Sequence, residues 1–167
     1  MVRVYVSIGS NVERERNIRA AIHALRQRFG DIALSRVYQT KAEGFAGDDF
    51  LNLVAALDTA DSVEQVRDTL AEIETAHGRV RGTKQDGPRT LDIDILLYGD
   101  LIRHEGRFDI PRREILKYAF VLGPLAELAP EARYPETGER LADLWQRFEP
   151  KIALREVELN LGTSAPP

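Results

Sequence analysis

The spacing of the apolar residues changes along the chain in an order that only a few folds can accommodate. Valine and isoleucine alternate with other residues over residues 2–8, which is the period of a strand with one buried face. From about residue 13 to residue 29 the apolar residues recur at helical spacing, and Gly30 follows as a natural helix end. Two further strands are predicted over residues 32–39 and 50–57. The chain is therefore expected to begin with a strand, a helix and two more strands.

A second helix and a fourth strand complete the pattern. Ser62 and Gln65 have the spacing of a capping box, and the apolar residues that follow keep helical spacing until near Gly78. The segment GPRTLDIDILLYGD, from Gly87 to Asp100, then alternates apolar and polar residues. The resulting order β-α-β-β-α-β is that of ferredoxin-like folds. We therefore predict an α+β, ferredoxin-like fold with a largely antiparallel sheet and helices packed on one of its faces.

The remaining part of the chain gives weaker signals. Residues 101–110 are expected to return as a strand, residues 111–129 to be mostly helical, and residues 141–148 to form a short helix. No internal repeat and no change of composition divides the chain, so we expect one domain over residues 1–160 and a flexible tail over residues 161–167.

Composition and charge restrict the possible functions. The chain has no cysteine, which excludes disulfides, thiol nucleophiles and thiolate metal sites. Its net charge of −4 makes nucleic acid an unexpected partner, but its basic residues cluster between residues 79 and 117, which favours a small anionic ligand. It has neither an apolar run long enough to span a bilayer nor a signal-peptide pattern. We therefore expect a cytoplasmic protein that binds neither membrane nor nucleic acid.

Folding does not explain the charged residues of GPRTLDIDILLYGD. Successive side chains of a strand point to opposite faces, so Asp92 and Asp94 would share one face, with Cα atoms roughly 6.5–7 Å apart. Two carboxylates this close raise each other's pKa unless a cation lies between them. Mg²⁺ commonly binds through one or two carboxylates and substrate phosphates. A solvated polar face is the alternative interpretation.

Three arginines upstream of these carboxylates favour the metal interpretation. They are Arg79, Arg81 and Arg89, and guanidinium groups suit phosphate oxygens. The sequence contains neither a P-loop motif nor a dinucleotide fingerprint, so side chains and metal would have to bind the phosphates. His77 and His104 have no patterned partners and are interpreted as surface residues. The sequence thus predicts a metal–nucleotide site around this strand.

Five segments, in this order, carry a resemblance to a known family: YVSIGSN, FLNLVAAL, GRVR, GPRTLDIDILLYG and AFVLGPLAELAP. Over about residues 2–135 the chain resembles the 6-hydroxymethyl-7,8-dihydropterin pyrophosphokinases of folate biosynthesis. The resemblance implies a ferredoxin-like fold and transfer of the terminal diphosphate of ATP to the hydroxymethyl oxygen of the pterin, with release of AMP. ATP and the hydroxymethyl-dihydropterin would then be the small-molecule partners. We expect the protein to act as a monomer.

The resemblance also implies roles for individual residues. Asp92 and Asp94 would hold two Mg²⁺ ions, and the catalytic arginines Arg79 and Arg89 would neutralise charge on the transferred group. The residues implied for ATP binding are Glu74, Arg79, Arg81, Arg89, Ile95 and Arg112. For Glu74, an exposed helix charge is an equally good interpretation.

The residues implied for pterin binding would surround a flat ring edged with donors and acceptors. They are Thr40, Gly44, Phe50, Asn52 and Phe120. Phe50 and Phe120 would stack on the ring, and the Asn52 amide would both donate and accept hydrogen bonds at its edge. Without the resemblance, ordinary core packing explains the two phenylalanines equally well.

The chain departs from the family pattern at several positions. Residues 41–43, Lys-Ala-Glu, replace a proline-rich, apolar stretch, and Tyr118 occupies a position that is often arginine. Arg112, Arg113 or Lys117 could supply the missing charge, and the sequence does not distinguish among them. Two alternative functions remain open: a diverged paralogue that pyrophosphorylates a different hydroxymethyl heterocycle, and a non-catalytic module that binds nucleotide or pterin.

Overall fold

The computed structural model describes residues 1–40, 49–77, 91–149 and 154–161. Its elements follow the chain in the order β1 (Val2–Ser10), α1 (Arg14–Phe29), β2 (Ala33–Leu34), β3 (Val37–Thr40), β4 (Phe50–Thr59), α2 (Val63–His77), β5 (Asp92–Tyr98), β6 (Arg103–Glu105), β7 (Phe108–Ile110), a 3-10 helix (Arg113–Leu116), α3 (Ala119–Leu128), α4 (Leu141–Arg147) and β8 (Arg155–Val157). The main sheet has the strand order β5-β1-β4-β3-β8, with β2 also paired to β4, and its pairings are antiparallel. This topology confirms the predicted α+β, ferredoxin-like fold.

The first two helices form as predicted, because their apolar residues meet on one face of the sheet. Buried residues of α1 and α2 contact those of β1, β4 and β5 in one hydrophobic core. In α1, Ile18, Ile22 and Leu25 are fully buried. The capping box opens α2: Ser62 N–H donates to Gln65 Oε1 over 2.8 Å, and Gln65 N–H donates to Ser62 Oγ over 3.1 Å. Among the residues that the structure describes, no helix is long and apolar enough to span a membrane.

A second core covers the opposite face of the sheet, which the sequence analysis did not predict. The 3-10 helix, α3 and α4 pack on this face. The register between β1 and β5 shifts at Leu96, and the resulting bulge lets Leu96 and Leu97 both face this second core. Asp92 and Asp94 lie on the side of α3, whereas the isoleucine between them faces the first core. The predicted site therefore forms between the sheet and α3.

The strand expected over residues 32–39 is split into β2 and β3 at Ser35. The Ser35 hydroxyl accepts the Val54 N–H over 2.9 Å, and the Ser35 N–H donates to the Val54 carbonyl, also over 2.9 Å. A side-chain oxygen thus takes over one bond of the ladder. The edge of β4 stays hydrogen-bonded although the strand beside it is interrupted.

The second half of the chain differs more from its predictions. Residues 101–110 form a β6–β7 hairpin apart from the main sheet rather than one strand, because Gly106 reverses the chain with a φ of +59°. Residues 111–129 are mostly helical, as predicted, but are divided between the 3-10 helix and α3. β8, which pairs with β3, was not predicted.

Candidate active site

A cavity of about 270 Å³, the first cavity, lies between the sheet and α3. β1, β3, β4 and β5 contribute residues to it, as does the segment that runs from the 3-10 helix into α3. The residues predicted to bind pterin or metal that the structure describes all line this cavity: Thr40, Phe50, Asn52, Asp92, Asp94 and Phe120. The fold thus collects side chains that are distant in the sequence.

The Asn52 amide is oriented by its neighbours on both sides. Its Nδ2 donates to Thr40 Oγ1 over 2.8 Å. Gly9 lies opposite Asn52 in the β1–β4 ladder, and a Cβ added to Gly9 would lie 2.9 Å from Asn52 Oδ1. The glycine therefore leaves room for the amide. An amide fixed in this way can present its oxygen to a donor on a flat ligand.

Aromatic rings form one wall of the first cavity. Phe50 and Phe120 both line it and are partly exposed. Tyr118 stacks on Phe120, with ring centroids 5.0 Å apart and an interplanar angle of 28°. Neither phenylalanine is one of the buried core residues, so core packing alone does not account for them. The wall suits a flat heterocycle, which stacks favourably on aromatic side chains.

Asp92 and Asp94 present their carboxylates to the first cavity from the same side of β5. They lie opposite Gly9 and Ser7 of β1, and the Asp94 side chain is 40% exposed. Within the described ranges, no group of three or more His, Asp or Glu side chains is placed to hold a metal ion. A cation bound at the two carboxylates would take its other ligands from phosphates and water, as Mg²⁺ commonly does. The donor set therefore fits Mg²⁺.

A smaller cavity of about 100 Å³, the second cavity, lies between α2, β5 and the β6–β7 hairpin. Three residues predicted for ATP binding line it: Glu74, Ile95 and Arg112. Leu70, Ala71 and Phe108 add an apolar lining. Among the lining residues that the structure describes, Asp94 alone belongs to both cavities. The carboxylate therefore lies at the boundary between them.

Glu74 ties α2 to the strand that carries the carboxylates. Its Oε2 accepts the backbone N–H of Ile93 over 2.7 Å, and its side chain is partly buried. The interpretation of Glu74 as an exposed helix charge is therefore wrong. β5 lies at an edge of the sheet, and this bond fixes its outer side beside Asp92 and Asp94.

Arg112 is the basic residue that enters the site from the segment before α3. Its Nε and its Nη2 each lie 2.7 Å from Glu114 Oε1, and its Nη2 lies 3.8 Å from Asp94 Oδ2. Arg113 and Lys117 are exposed and line neither cavity. Of the three residues that the sequence did not distinguish, Arg112 is therefore the one placed to supply positive charge.

Sequence reasoning missed two further arginines of the second cavity, Arg67 and Arg107. The Arg67 guanidinium lies 5.8 Å from the ring centroid of Phe108. Neither arginine side chain forms an ion pair or a hydrogen bond with the residues that the structure describes. Nothing around them in the sequence distinguishes them from solvated surface residues, because they reach the cavity only when α2 packs against the hairpin. Together they add positive charge where an anion could bind.

Some predicted residues lie outside the described ranges. They are Gly44, Arg79, Arg81 and Arg89, and residues 41–43 lie outside as well. The roles assigned to these residues stay predictions.

Comparison with known proteins gives sequence matches over most of the chain. The sequence pattern of the family described as 7,8-dihydro-6-hydroxymethylpterin-pyrophosphokinase (HPPK) matches residues 5–130. The 2-amino-4-hydroxy-6-hydroxymethyldihydropteridine pyrophosphokinase of Pseudomonas aeruginosa is 42% identical over 147 residues, which cover 85% of this chain and 89% of that protein. The protein of the same name from Haemophilus influenzae is 35% identical over 152 residues, which cover 89% of this chain and 94% of that protein.

Structural comparison supports the fold. The crystal structure of wild-type HPPK-DHPS from Plasmodium falciparum superposes with a TM-score of 0.68 at 13% sequence identity. The match covers 88% of this chain but only 44% of the Plasmodium chain. This chain therefore corresponds to less than half of that larger protein.

Proposed function

The chain belongs to the 7,8-dihydro-6-hydroxymethylpterin-pyrophosphokinase family, and from this premise we propose how its own residues carry out the reaction. The enzyme transfers a pyrophosphoryl group from ATP to the hydroxymethyl group of 6-hydroxymethyl-7,8-dihydropterin in folate biosynthesis. The hydroxymethyl oxygen bonds to the β-phosphorus and loses its proton. The bond from that phosphorus to the oxygen bridging to the α-phosphorus breaks, and AMP leaves with that oxygen. Such transfer depends mainly on positioning and electrostatics.

The first cavity is the proposed pterin site. Phe50 and Phe120 would hold the ring by stacking, and the Asn52 amide, oriented by Thr40, would bond to the polar edge of the ring. The family resemblance assigns Gly44 to the same site. A ring held in this way would lie in the same cavity as the two carboxylates, within reach of its hydroxymethyl group.

The second cavity is the proposed nucleotide site. Its apolar residues suit the adenine ring, and Arg67, Arg107 and Arg112 suit phosphate oxygens. Arg79, Arg81 and Arg89 would complete the phosphate site. The observation that carries the whole assignment is the position of Asp94, which lines both cavities. The two substrates would therefore meet at this carboxylate, where an attacking oxygen and a phosphorus atom must come together.

Asp92 and Asp94 are the residues proposed to hold Mg²⁺, with two ions expected from the family resemblance. Mg²⁺ held by these carboxylates would supply positive charge to the phosphate oxygens and favour loss of the proton from the attacking hydroxyl. The protein contributes position: Glu74 fixes the strand that carries both carboxylates, and the glycine opposite Asn52 leaves room for the pterin-binding amide. Arg79 and Arg89 would neutralise the charge that develops on the transferred group.

An acceptor-dependence assay tests the proposal. The protein is incubated with ATP, Mg²⁺ and 6-hydroxymethyl-7,8-dihydropterin, and AMP is measured by chromatography. AMP that forms only when the pterin is present supports the proposal. AMP that forms only with other hydroxymethyl heterocycles would indicate the diverged paralogue, and nucleotide binding without any turnover would indicate the binding module.

Several expectations from the sequence stay predictions. They concern the extent of the single domain and its tail, the monomeric state, and the cytoplasmic location.

A further inference from the structure

We propose that Glu114 is a positioning residue, which holds the Arg112 guanidinium for the nucleotide from within the pterin cavity. The inference rests on the proposed assignment of the two cavities to the two substrates. Glu114 belongs to the 3-10 helix and lines the first cavity, whereas Arg112 lines the second. The ion pair between them therefore crosses the boundary that Asp94 marks.

Arg112 is held at its backbone and at its guanidinium. Its backbone N–H donates to the carbonyl of Leu96, the bulged residue of β5, over 3.0 Å. Its guanidinium is held by one carboxylate oxygen of Glu114, 2.7 Å from both Nε and Nη2. Glu114 is fixed as well, because its carbonyl accepts the N–H groups of Lys117 and Tyr118. The guanidinium thus has a defined position before any ligand binds.

This pairing leaves Arg112 able to bind an anion. A guanidinium carries five N–H groups in a planar fork. Glu114 Oε1 takes the Nε–H and one N–H of Nη2, so three N–H groups remain for other acceptors at a residue that lines the second cavity. Glu114 therefore orients the cation without using up its donors.

Without Glu114, the guanidinium would have a different carboxylate to move to. Asp94 Oδ2 is already 3.8 Å from Arg112 Nη2. A released guanidinium would close this distance and form a direct ion pair with Asp94, because the two charges are opposite and both side chains are partly exposed. Nucleotide binding would then have to break that pair. Loss of Glu114 is expected to weaken nucleotide binding twice, through lost orientation and through this competition.

A contribution to stability is the alternative role for Glu114, and exposure argues against it. The Glu114 side chain is 41% exposed and the Arg112 side chain 29%. Ion pairs exposed to this extent add little to the stability of a fold. The structure therefore assigns the pair to ligand binding. The nucleotide Kd distinguishes this role, because a purely structural role would leave it unchanged.

The test compares Glu114→Ala, Glu114→Gln, Arg112→Met and the Glu114→Ala/Arg112→Met double variant. Calorimetric titration with the Mg²⁺ complex of a non-hydrolysable ATP analogue gives the nucleotide Kd, and fluorescence titration gives the pterin Kd without nucleotide. Glu114→Ala should raise the nucleotide Kd about tenfold, the loss expected for a charge-assisted hydrogen bond, and the pterin Kd less than about twofold. Glu114→Gln, which retains an acceptor oxygen, should recover part of the loss.

The double variant decides whether Glu114 acts through Arg112. In the Arg112→Met background, Glu114→Ala should have almost no further effect on the nucleotide Kd, because the cation that it positions is absent. Glu131→Ala serves as the matched control, since Glu131 pairs with Arg140 over 3.1 Å and lines neither cavity. Circular dichroism should show an unchanged fold for all variants.

Two results would overturn the inference. One is additive effects of Glu114→Ala and Arg112→Met on the nucleotide Kd. The other is a rise in the pterin Kd with no change in the nucleotide Kd. Failure of the proposed function is a separate outcome, in which the unmodified protein would make no AMP from ATP and pterin. The nucleotide Kd values of the four variants do not depend on turnover and would still test whether Glu114 acts through Arg112.

Discussion

At the scale of single residues, the position of the Asn52 amide in the first cavity depends on the absence of a side chain at Gly9. We predict that Gly9→Ala pushes the Asn52 amide away, because the new Cβ would lie 2.9 Å from Asn52 Oδ1. Loss of one neutral hydrogen bond should raise the KM for the pterin about fivefold and leave the KM for ATP nearly unchanged. Steady-state kinetics with each substrate varied in turn measures both. In an Asn52→Ala background the Gly9 substitution should have little further effect, and an equal loss in both backgrounds would contradict this account.

The position of Asp94 at the boundary of both cavities makes it the residue with the largest expected effect. Asp94→Ala should lower kcat by about a thousandfold or more, since charge stabilisation by a bound metal contributes several kcal/mol to such transfers. The fold should survive, because the Asp94 side chain is 40% exposed and belongs to neither core. AMP formation and thermal melting measure the two effects. Substantial remaining activity would contradict the proposed metal role, and loss of the fold would contradict the expectation that Asp94 is not needed for folding.

Residue types and strand periodicity made part of this site predictable. Asp92 and Asp94 could be placed on one face because a strand alternates its side chains, and Asn52 could be placed with Phe50 for the same reason. Arg67 and Arg107 could not be placed, because only the packing of separate elements brings them to one cavity. Local periodicity contains no information about such contacts.

At the scale of elements, β5 combines an alternating pattern, a bulge and a hydrogen bond to α2, and only the alternation is visible in the sequence. Its alternation was read from the sequence, and Ile93 and Ile95 do face the core. The bulge at Leu96 and the bond from Ile93 N–H to Glu74 were not predicted, because they depend on the partner strand and on α2. The bulge places two leucines towards α3, and α3 in turn carries Phe120.

The β6–β7 hairpin was missed because a three-residue strand is too short to show a period. His104, interpreted from the sequence as a surface residue, joins this hairpin to the segment before α4. Its Nδ1 lies 2.7 Å from Asp109 Oδ1 and its Nε2 lies 3.0 Å from Glu136 Oε1. These two bonds, that to Glu136 foremost, raise the pKa of His104 above its ordinary value of 6.5.

The raised pKa gives the hairpin a pH-dependent contribution to stability. A histidine whose pKa is higher in the folded state stabilises the fold fully below its ordinary pKa and loses that contribution as the pH rises through the folded pKa. Burial of Asp109 opposes its ionisation, but the Arg113 backbone N–H and His104 still hold the pKa of that carboxyl below its ordinary value, so it remains charged over this range.

We therefore predict that His104→Gln lowers the melting temperature more at about pH 5.5 than at about pH 9. Thermal melts of both proteins across this range measure the difference. The same substitution at His23, which is exposed on α1, controls for the loss of a histidine. A difference that stays constant, or that grows with pH, would contradict the proposed role of His104.

At the scale of the whole molecule, one sheet separates two cores, and the two cavities of the proposed site meet at β5 on its edge. The helices α1 and α2 cover one side, and α3 and α4 cover the other, where the first cavity opens. The order of the first elements was predictable, because each rests on a local period. The second face and the pairing of β8 with β3 were not, because residues far apart in the sequence form them.

Residues 158–161, which follow β8, pack against α1 and the first core rather than at the proposed site. The backbone carbonyls of this segment at Asn160 and Leu161 accept hydrogen bonds from Arg19 and Arg26 of α1, over 2.9 Å and 3.2 Å. Leu159 and Leu161 pack, partly buried, against the first core. Neither cavity of the proposed site is lined by this segment. Its contribution should therefore concern stability rather than catalysis.

We predict that the double substitution Leu159→Ala/Leu161→Ala lowers the free energy of unfolding by about 2 kcal/mol, since two half-buried leucines should cost less than the full loss for buried ones. The KM for each substrate should remain unchanged. Denaturant unfolding and steady-state kinetics measure the two quantities. Ile102→Ala is the matched control, because Ile102 is 51% exposed. It should change the free energy of unfolding by less than about 0.5 kcal/mol. A raised KM in the double variant would mean that this segment affects substrate binding. An unchanged free energy of unfolding would mean that the segment does not pack on the core in solution.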